Sequence, residues 1–215
     1  MAPRIVSIEG NIGAGKTTIF TKLQSENTDP NILFVHEPVN QWLSYRDPTT
    51  KETLLSAYYK HPQQYAFPFQ ITALLTRLTL LKNTIEQNPD AKLIITERSL
   101  QSDFEIFAKM LYNDQKINTI LYSIYEQIYK DYVKYELTGV IYINSDPLTC
   151  FERCGLRNRD GEKVGLHYLR NCDAYHHEWL QNTEVPILTM SSDYNQQQLF
   201  SIYGFLQRIM LQTKK

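Results

Sequence analysis

The chain has 215 residues, 42% of them apolar and 12% aromatic, and a formal net charge of −1. A chain of this length and composition can bury the core of one large α/β domain, expected to span residues 1–215. The near-neutral balance offers nothing that attracts nucleic acid or a membrane surface in general, and no stretch is apolar for long enough to span a bilayer.

In chain order, residues 4–9 read as a first strand built on Ile5-Val6-Ser7-Ile8. Met1-Ala2-Pro3-Arg4 leads straight into it. No signal or transit segment is visible, and a cytoplasmic setting is expected. The next residues, Gly10-Asn11-Ile12-Gly13-Ala14-Gly15-Lys16-Thr17-Thr18, match G-x-x-x-x-G-K-[ST]. A strand, a glycine-rich turn and a helix start in that order form a phosphate-binding loop. The glycines let the backbone curl so that N–H groups converge, and the helix N-terminus adds partial positive charge. Lys16 then reaches the β- and γ-phosphates of a nucleoside triphosphate, and the Thr17 hydroxyl is placed to hold Mg2+.

A helix is expected over 15–26 and a short strand over 32–36, ending at Glu37-Pro38. Residues 44–53 are polar and read as a loop between short helices. A long helix follows over 62–87; Pro62 suits its first position, whereas Pro68 is expected to kink or interrupt it. A buried-type strand over 93–96 precedes two helices, 99–113 and 117–135. The strand at 140–143 leads to a helix opened by Asp146-Pro147 and broken by a charged loop over 157–161. A helix at 165–182, a strand at 186–189 and a helix at 195–212 complete the chain. The alternation predicts an α/β fold: a five-stranded parallel sheet covered by helices on both faces.

Cys150, Cys154 and Cys172 are odd in number, which fits a reducing compartment better than a disulfide framework. Cys150 and Cys154 share a helical face, and Cys172 with His176 repeats the spacing. A zinc site can be drawn from these four, but buried thiols and a surface histidine are the expectation.

Ligands of such sheets sit beyond the carboxyl ends of the strands, so Glu37, Glu97 and Arg98 converge on the phosphate loop. Glu97 is a candidate metal ligand, Arg98 a partner for phosphate charge or for a carboxylate, and Glu37 the candidate base for a hydroxyl acceptor. Trp42 reads equally well as a wall for a flat ligand or as core. Arg153, Arg157 and Arg159 surround a short loop that can close over a triphosphate; a solvated basic face is the other reading. Gln70 and Arg77 share one helical face, and Asp103 and Phe107 another. Together they can bind a flat polar heterocycle, or they are two ion-pairing faces with a core ring.

These residues resemble the deoxynucleoside kinases of the deoxycytidine/deoxyguanosine kinase type. The likeness runs through GNIGAGKTT at 10–18, EPVNQW at 37–42, YKHP at 59–62, FQITALLTR at 69–77, ERSLQSDFEIFA at 97–108, GVIYINSDPLTCFER at 139–153, LRNRDGE at 156–162 and EVPILTM at 184–190. It implies a phosphate-loop kinase fold with an arginine-rich lid, ATP as donor, Mg2+ and a homodimer. It implies that Glu37 is the base that activates the 5′-hydroxyl, that Arg98 orients that base and stabilises the transferred charge, and that Glu97 is the metal-associated acid. Gln70 would bond the base edge, Phe107 stack on the base and Trp42 line the pocket. Tyr59 and Glu162 would hold the 3′-hydroxyl, Arg157 and Arg159 cover the phosphates, and Arg153 help hold the donor.

Arg77 and Asp103 carry the forecast of the base. An ionised aspartate only accepts, so it favours an exocyclic amino group and opposes the thymine O4. Deoxycytidine is expected first, purine deoxynucleosides next and thymidine last. Arg77 could donate to a guanine O6, so deoxyguanosine stays open. The segment between Trp42 and Tyr59 lacks a long insertion found in some relatives, so this side of the pocket is expected to be more open. The stripe Tyr122-Tyr125-Tyr129-Tyr132 fits a dimer face or a core face. A nucleoside monophosphate kinase of thymidylate-kinase type and a non-enzymatic nucleotide-binding module are the competing functions.

Overall fold

The structure, a computed structural model, describes residues 2–159 and 161–211. Met1, Asp160 of the charged loop and position 212 of the expected last helix lie outside the described residues. The elements are β1 (Arg4–Gly10), α1 (Lys16–Glu26), β2 (Ile32–Val35), α2 (Val39–Ser44), α3 (Leu54–Lys60) and α4 (Pro62–Gln87). Then come β3 (Leu93–Glu97), α5 (Leu100–Ser102), a π-helical segment (Asp103–Ala108), α6 (Lys109–Asn113) and α7 (Thr119–Tyr132). The last are β4 (Gly139–Asn144), α8 (Pro147–Arg157), α9 (Leu166–Asn182), β5 (Ile187–Ser191) and α10 (Gln196–Leu211).

The strands form one parallel sheet in the order β2-β3-β1-β4-β5. Side chains alternate across it. Val6, Ile8, Ile141 and Ile143 pack on Phe20 and Leu23 of α1 and on Ile202 and Phe205 of α10. Ile5, Val140 and Tyr142 face the other way, toward Leu74 and Leu81 of α4 and Tyr125 of α7. Both faces are therefore covered, as near-continuous apolar strands require. A third apolar cluster, with Trp42, Leu55, Tyr58 and Phe69, joins α2, α3 and α4 beyond the strand ends.

Pro68 does not interrupt α4. It sits on an exposed turn, and so does Gln64, whose carbonyl loses its N–H partner to the proline and stays open to water. The expected helix at 99–113 is one run with a π-helical turn in its middle. Nothing in the local composition announces that turn. Of the tyrosine stripe, Tyr125 is fully buried and stacks with Tyr129 on Phe104, and Tyr122 stacks on Tyr112. Only Tyr132 is largely exposed, so most of the stripe is a core face. His176 is not on the surface: it is wholly buried, its Nδ1 2.6 Å from the Cys172 carbonyl, its ring stacked on Tyr142. Burial holds its imidazole well below the usual range, hence neutral. Cys150 and Cys172 are buried and Cys154 partly so, all three as free thiols.

Candidate active site

The central strand β1 delivers the glycine loop at its carboxyl end, and the neighbouring β3 delivers Glu97 and Arg98 beside it. The edge strand β2 ends one residue before His36, which leads to Glu37. One cavity of about 350 Å³ runs along these ends. Gly13, Gly15, Lys16, Thr17 and Thr18 line it at one end, and Trp42, Tyr59, Gln70, Arg77, Asp103 and Phe107 at the other. Glu37, Glu97 and Arg98 also line it, as do Arg153, Arg157, Arg159 and Glu162.

The loop geometry is that of an anion cradle. The N–H groups of Gly13, Gly15, Lys16 and Thr17 have no acceptor among the described residues. Helix α1 starts at Gly15 without a side-chain cap, so its N-terminal donors stay open. Gly13 has φ 84°, and a Cβ there would meet the Cys150 carbonyl at 2.5 Å, so only glycine fits. Gly10, Asn11 and Ala14 do not line the cavity. Asn11 turns its side chain away, donating to the Leu169 carbonyl at 2.8 Å and accepting from the Ile12 N–H. Its part is to hold the loop against α9.

Lys16 donates to the Gly10 and Asn11 carbonyls at 3.2 and 2.7 Å. Burial and the nearby Arg98 pull its ammonium down to about 8, against the carboxylates of Glu37, Glu97 and Glu9. The Thr17 hydroxyl donates to Glu97 Oε1. These two groups offer an oxygen-only pair suited to a hard divalent cation.

Glu37 lies between two arginines. Its Oε1 is 3.2 Å from Arg77 Nη2 and 3.4 Å from Arg98 Nε. Burial alone would raise its carboxyl; the Arg77, Arg98 and Lys16 charges outweigh that and hold it below the usual carboxylate range. Arg77 also grips Asp103, Nε to Oδ2 at 2.9 Å and Nη2 to Oδ1 at 3.3 Å, and donates to the Glu97 carbonyl at 3.0 Å. These bonds leave Arg77 one N–H, so it has little left for a guanine O6. Burial outweighs the pull of Arg77 and raises the Asp103 carboxyl above its ordinary value, while, against burial, Asp103 and Glu37 hold the Arg77 guanidinium above its own. The two N–H donors of Arg77 on Asp103 Oδ1 and Oδ2 are the contacts a carboxylate accepts.

The acceptor end is aromatic. Phe107 lies under the Arg98 guanidinium, 4.7 Å from ring centre to Cζ. Trp42 is both things the sequence allowed: it is buried in the third cluster and it lines the cavity, its Nε1 donating to Thr76 Oγ1 at 2.9 Å. The Gln70 amide is buried and has no side-chain hydrogen bond among the described residues. The Tyr59 hydroxyl likewise has none. Glu162 is held by Arg157 and, at 3.5 Å, by Arg159, so the lid arginines are tethered to an acid rather than splayed in solvent. Arg153 instead pairs with Asp193 at 2.9 Å.

Tyr58, Phe69, Leu55, Ile12 and Tyr168 line the cavity without having been expected there. Tyr58 stacks on Phe69 at 4.7 Å, and its hydroxyl meets that of Tyr168 at 2.9 Å, tying α3 to α9. Single aromatic residues from distant segments give no pattern to read. Glu9 and Ser99, buried under the loop, were also missed. A charged residue in a strand buried on both faces was the available signal for Glu9.

An open anion cradle and a part-buried carboxylate along one cavity are the parts of a phosphate-loop kinase. The family model for deoxynucleoside kinases matches residues 6–210. A probable deoxycytidine kinase of fowlpox virus (strain NVSL) is 33% identical over 197 residues, which cover 87% of this chain and 78% of that protein. Deoxycytidine kinase of Homo sapiens is 32% identical over 216 residues, 86% of this chain and 82% of that one. The mitochondrial deoxyguanosine kinase of Xenopus laevis is 30% identical over 212 residues, 89% and 79% of the two chains. The chain belongs to the deoxynucleoside kinase family.

Proposed function

We propose that this chain, as one kinase domain over residues 1–215, transfers the γ-phosphate of ATP to the 5′-hydroxyl of a deoxynucleoside in nucleotide salvage. The observation that carries the reading is the position of Glu37: a carboxylate clamped by Arg77 and Arg98 in the same cavity as the open N–H groups of the phosphate loop. The 5′-oxygen forms its bond to Pγ as the bond from Pγ to the ADP oxygen breaks, and Glu37 takes the hydroxyl proton. Lys16 and the loop amides hold the phosphates in place; Arg98 stabilises charge beside them. Arg157 and Arg159 cover the donor and keep water out. Thr17 and Glu97 would hold Mg2+, which when bound supplies positive charge to the donor's phosphates.

The free Gln70 amide and the acceptor-only Asp103 support recognition of a base edge that carries an amino group. Phe107 would stack on the base, while Tyr59 and Glu162 would hold the 3′-hydroxyl. The preferred order is deoxycytidine, then purine deoxynucleosides, then thymidine. A monophosphate acceptor fits less well, because the cations of the acceptor end already face carboxylates: Arg77 with Asp103 and Glu37, Arg98 with Glu37. The test is a panel of nucleosides and nucleoside monophosphates with ATP and Mg2+, read as kcat/KM. The highest value is expected for deoxycytidine; the highest value for thymidine, or for any monophosphate, overturns the reading.

A homodimer and a cytoplasmic setting belong to the same proposal. The free thiols support the latter; no helix among the described residues is long and apolar enough to cross a membrane. Ile120 and Ile124, one turn apart on α7, are 74% and 44% exposed, and Leu75 of α4 is exposed too. Such a surface supports a partner face. Light scattering at micromolar concentration is expected to give twice the monomer mass, and a monomer would count against the dimer.

A further inference from the structure

Glu9 is the penultimate residue of β1 and has no solvent exposure. Its Oε1 accepts from the Ser99 hydroxyl at 2.6 Å, and its Oε2 has no hydrogen-bond partner among the described residues. Nη1 of Arg98 is also buried and without a partner, 3.9 Å from that same Oε2. On its other side Arg98 is 3.4 Å from Glu37. Neither distance is that of a closed guanidinium–carboxylate bond, about 2.7–2.9 Å. Arg98 hangs between two carboxylates and is fully bonded to neither.

The arginine is held in this place by other means. Its backbone is left-handed, φ 64°, and its N–H donates to the Ile8 carbonyl at 3.1 Å. The other non-glycine residues with positive φ among the described residues, Lys51, Gln115 and Asn158, are exposed. Phe107 supports its guanidinium from below. A buried residue in a sparsely populated backbone region marks a position that its surroundings enforce. An isolated buried carboxylate oxygen is equally unfavourable, and burial pushes the Glu9 carboxyl up against the pull of Arg98 and Ser99.

The charges form a pattern. Glu37 is common to both arginines, while Asp103 belongs to Arg77 and Glu9 to Arg98. When Glu37 takes the proton of the acceptor hydroxyl it loses its charge. Arg77 then keeps Asp103. Without Glu9, Arg98 would be a buried cation with no carboxylate partner among the described residues, left with only the phosphate charge it stabilises, which is unfavourable.

We propose that Glu9 is a positioning residue for the transfer: it shares the Arg98 guanidinium with Glu37 and becomes its counter-charge as Glu37 is protonated. This rests on the reading of Glu37 as the base. Glu9→Gln keeps the size and the Ser99 contact and removes the charge. It is expected to lower kcat about tenfold with both KM values within about twofold, because Glu9 touches neither substrate. In an Arg98→Gln background, where the cation is gone, the same change is expected to alter kcat by less than about twofold, since residues that act through one another are not additive. A kcat within twofold of the parent, or the same tenfold loss in both backgrounds, overturns the proposal. Thermal midpoints are measured alongside; if Glu9→Gln does not fold, Glu9→Met, which also removes the charge at similar length, is taken through the same cycle with the same criteria. Glu37→Gln is assayed in the same series. Full activity there removes the base and this inference with it; an inactive Glu37→Gln beside a parental Glu9→Gln removes the inference alone.

Discussion

Replacing Glu37 with glutamine is expected to lower kcat by about 10²–10⁴-fold, the usual contribution of a positioned base. The amide has the shape of the carboxyl and keeps an oxygen for Arg77 and Arg98, but it cannot take a proton. ATP affinity is expected to stay within about twofold, because the open amides that would hold the phosphates belong to a different element. Steady-state kinetics and a titration with ATP separate the two quantities; a variant that keeps kcat within tenfold of the parent would leave Glu37 without its role. The pH dependence has a definite sign. The base must be ionised, and Arg77, Arg98 and Lys16 hold its carboxyl below the usual range despite burial. With both substrates saturating, kcat is therefore expected to stay level down to about pH 5, and Arg98→Gln to move the acid limb upward by removing one of the charges that depress it.

The phosphate loop was legible because its chemistry is local: nine consecutive residues contain both the turn and the groups it exposes. Glu37, Glu97 and Arg98 were legible because strand ends in a parallel sheet point to one place, and their neighbours in sequence mark those ends. Helix faces placed Gln70 with Arg77 and Asp103 with Phe107, but they did not set the two faces against each other as an Arg77–Asp103 ion pair, nor add Glu37 to it. Nothing in the spacing says that Arg77 would also reach Glu37 and the Glu97 carbonyl, which is a matter of how α4 docks beside β3. Tyr58 and Tyr168 meet across segments 110 residues apart, and the spacing within either helix gives no sign of the contact. His176 shows the opposite failure. A histidine among polar neighbours reads as surface, and its burial follows only from the packing of α9 on the π-helical turn, where Phe107 and Tyr142 enclose it. That turn itself widens the helix at Asp103 and Phe107, the two residues that line the cavity from it.

The other large effect is expected when Arg77 and Asp103 are changed together, to leucine and alanine. Each single change breaks a buried ion pair and leaves one charge behind. Asp103→Ala leaves Arg77 with Glu37 as its remaining carboxylate, and Arg77→Leu leaves Asp103 with no cation in contact. Each is expected to destabilise the fold by about 3–5 kcal/mol, and the double variant by less than either single one, because it removes both charges at once. Specificity is expected to move in the same experiment. The ionised Asp103 repels a carbonyl oxygen at the base edge and welcomes an amino group; the double variant has neither preference, and the lost volume makes room for a methyl group. The ratio of kcat/KM for thymidine to that for deoxycytidine is expected to rise by about 100-fold or more, most of it from a site that no longer demands a donor. The base responds too. Arg77 is the strongest of the charges that depress the Glu37 carboxyl, so its loss is expected to shift the acid limb of kcat upward, as Arg98→Gln does. A double variant that is stable, shows the shifted limb and yet keeps the parental order of nucleosides would mean that the base of the acceptor lies away from Asp103, and that the pair serves Glu37 alone.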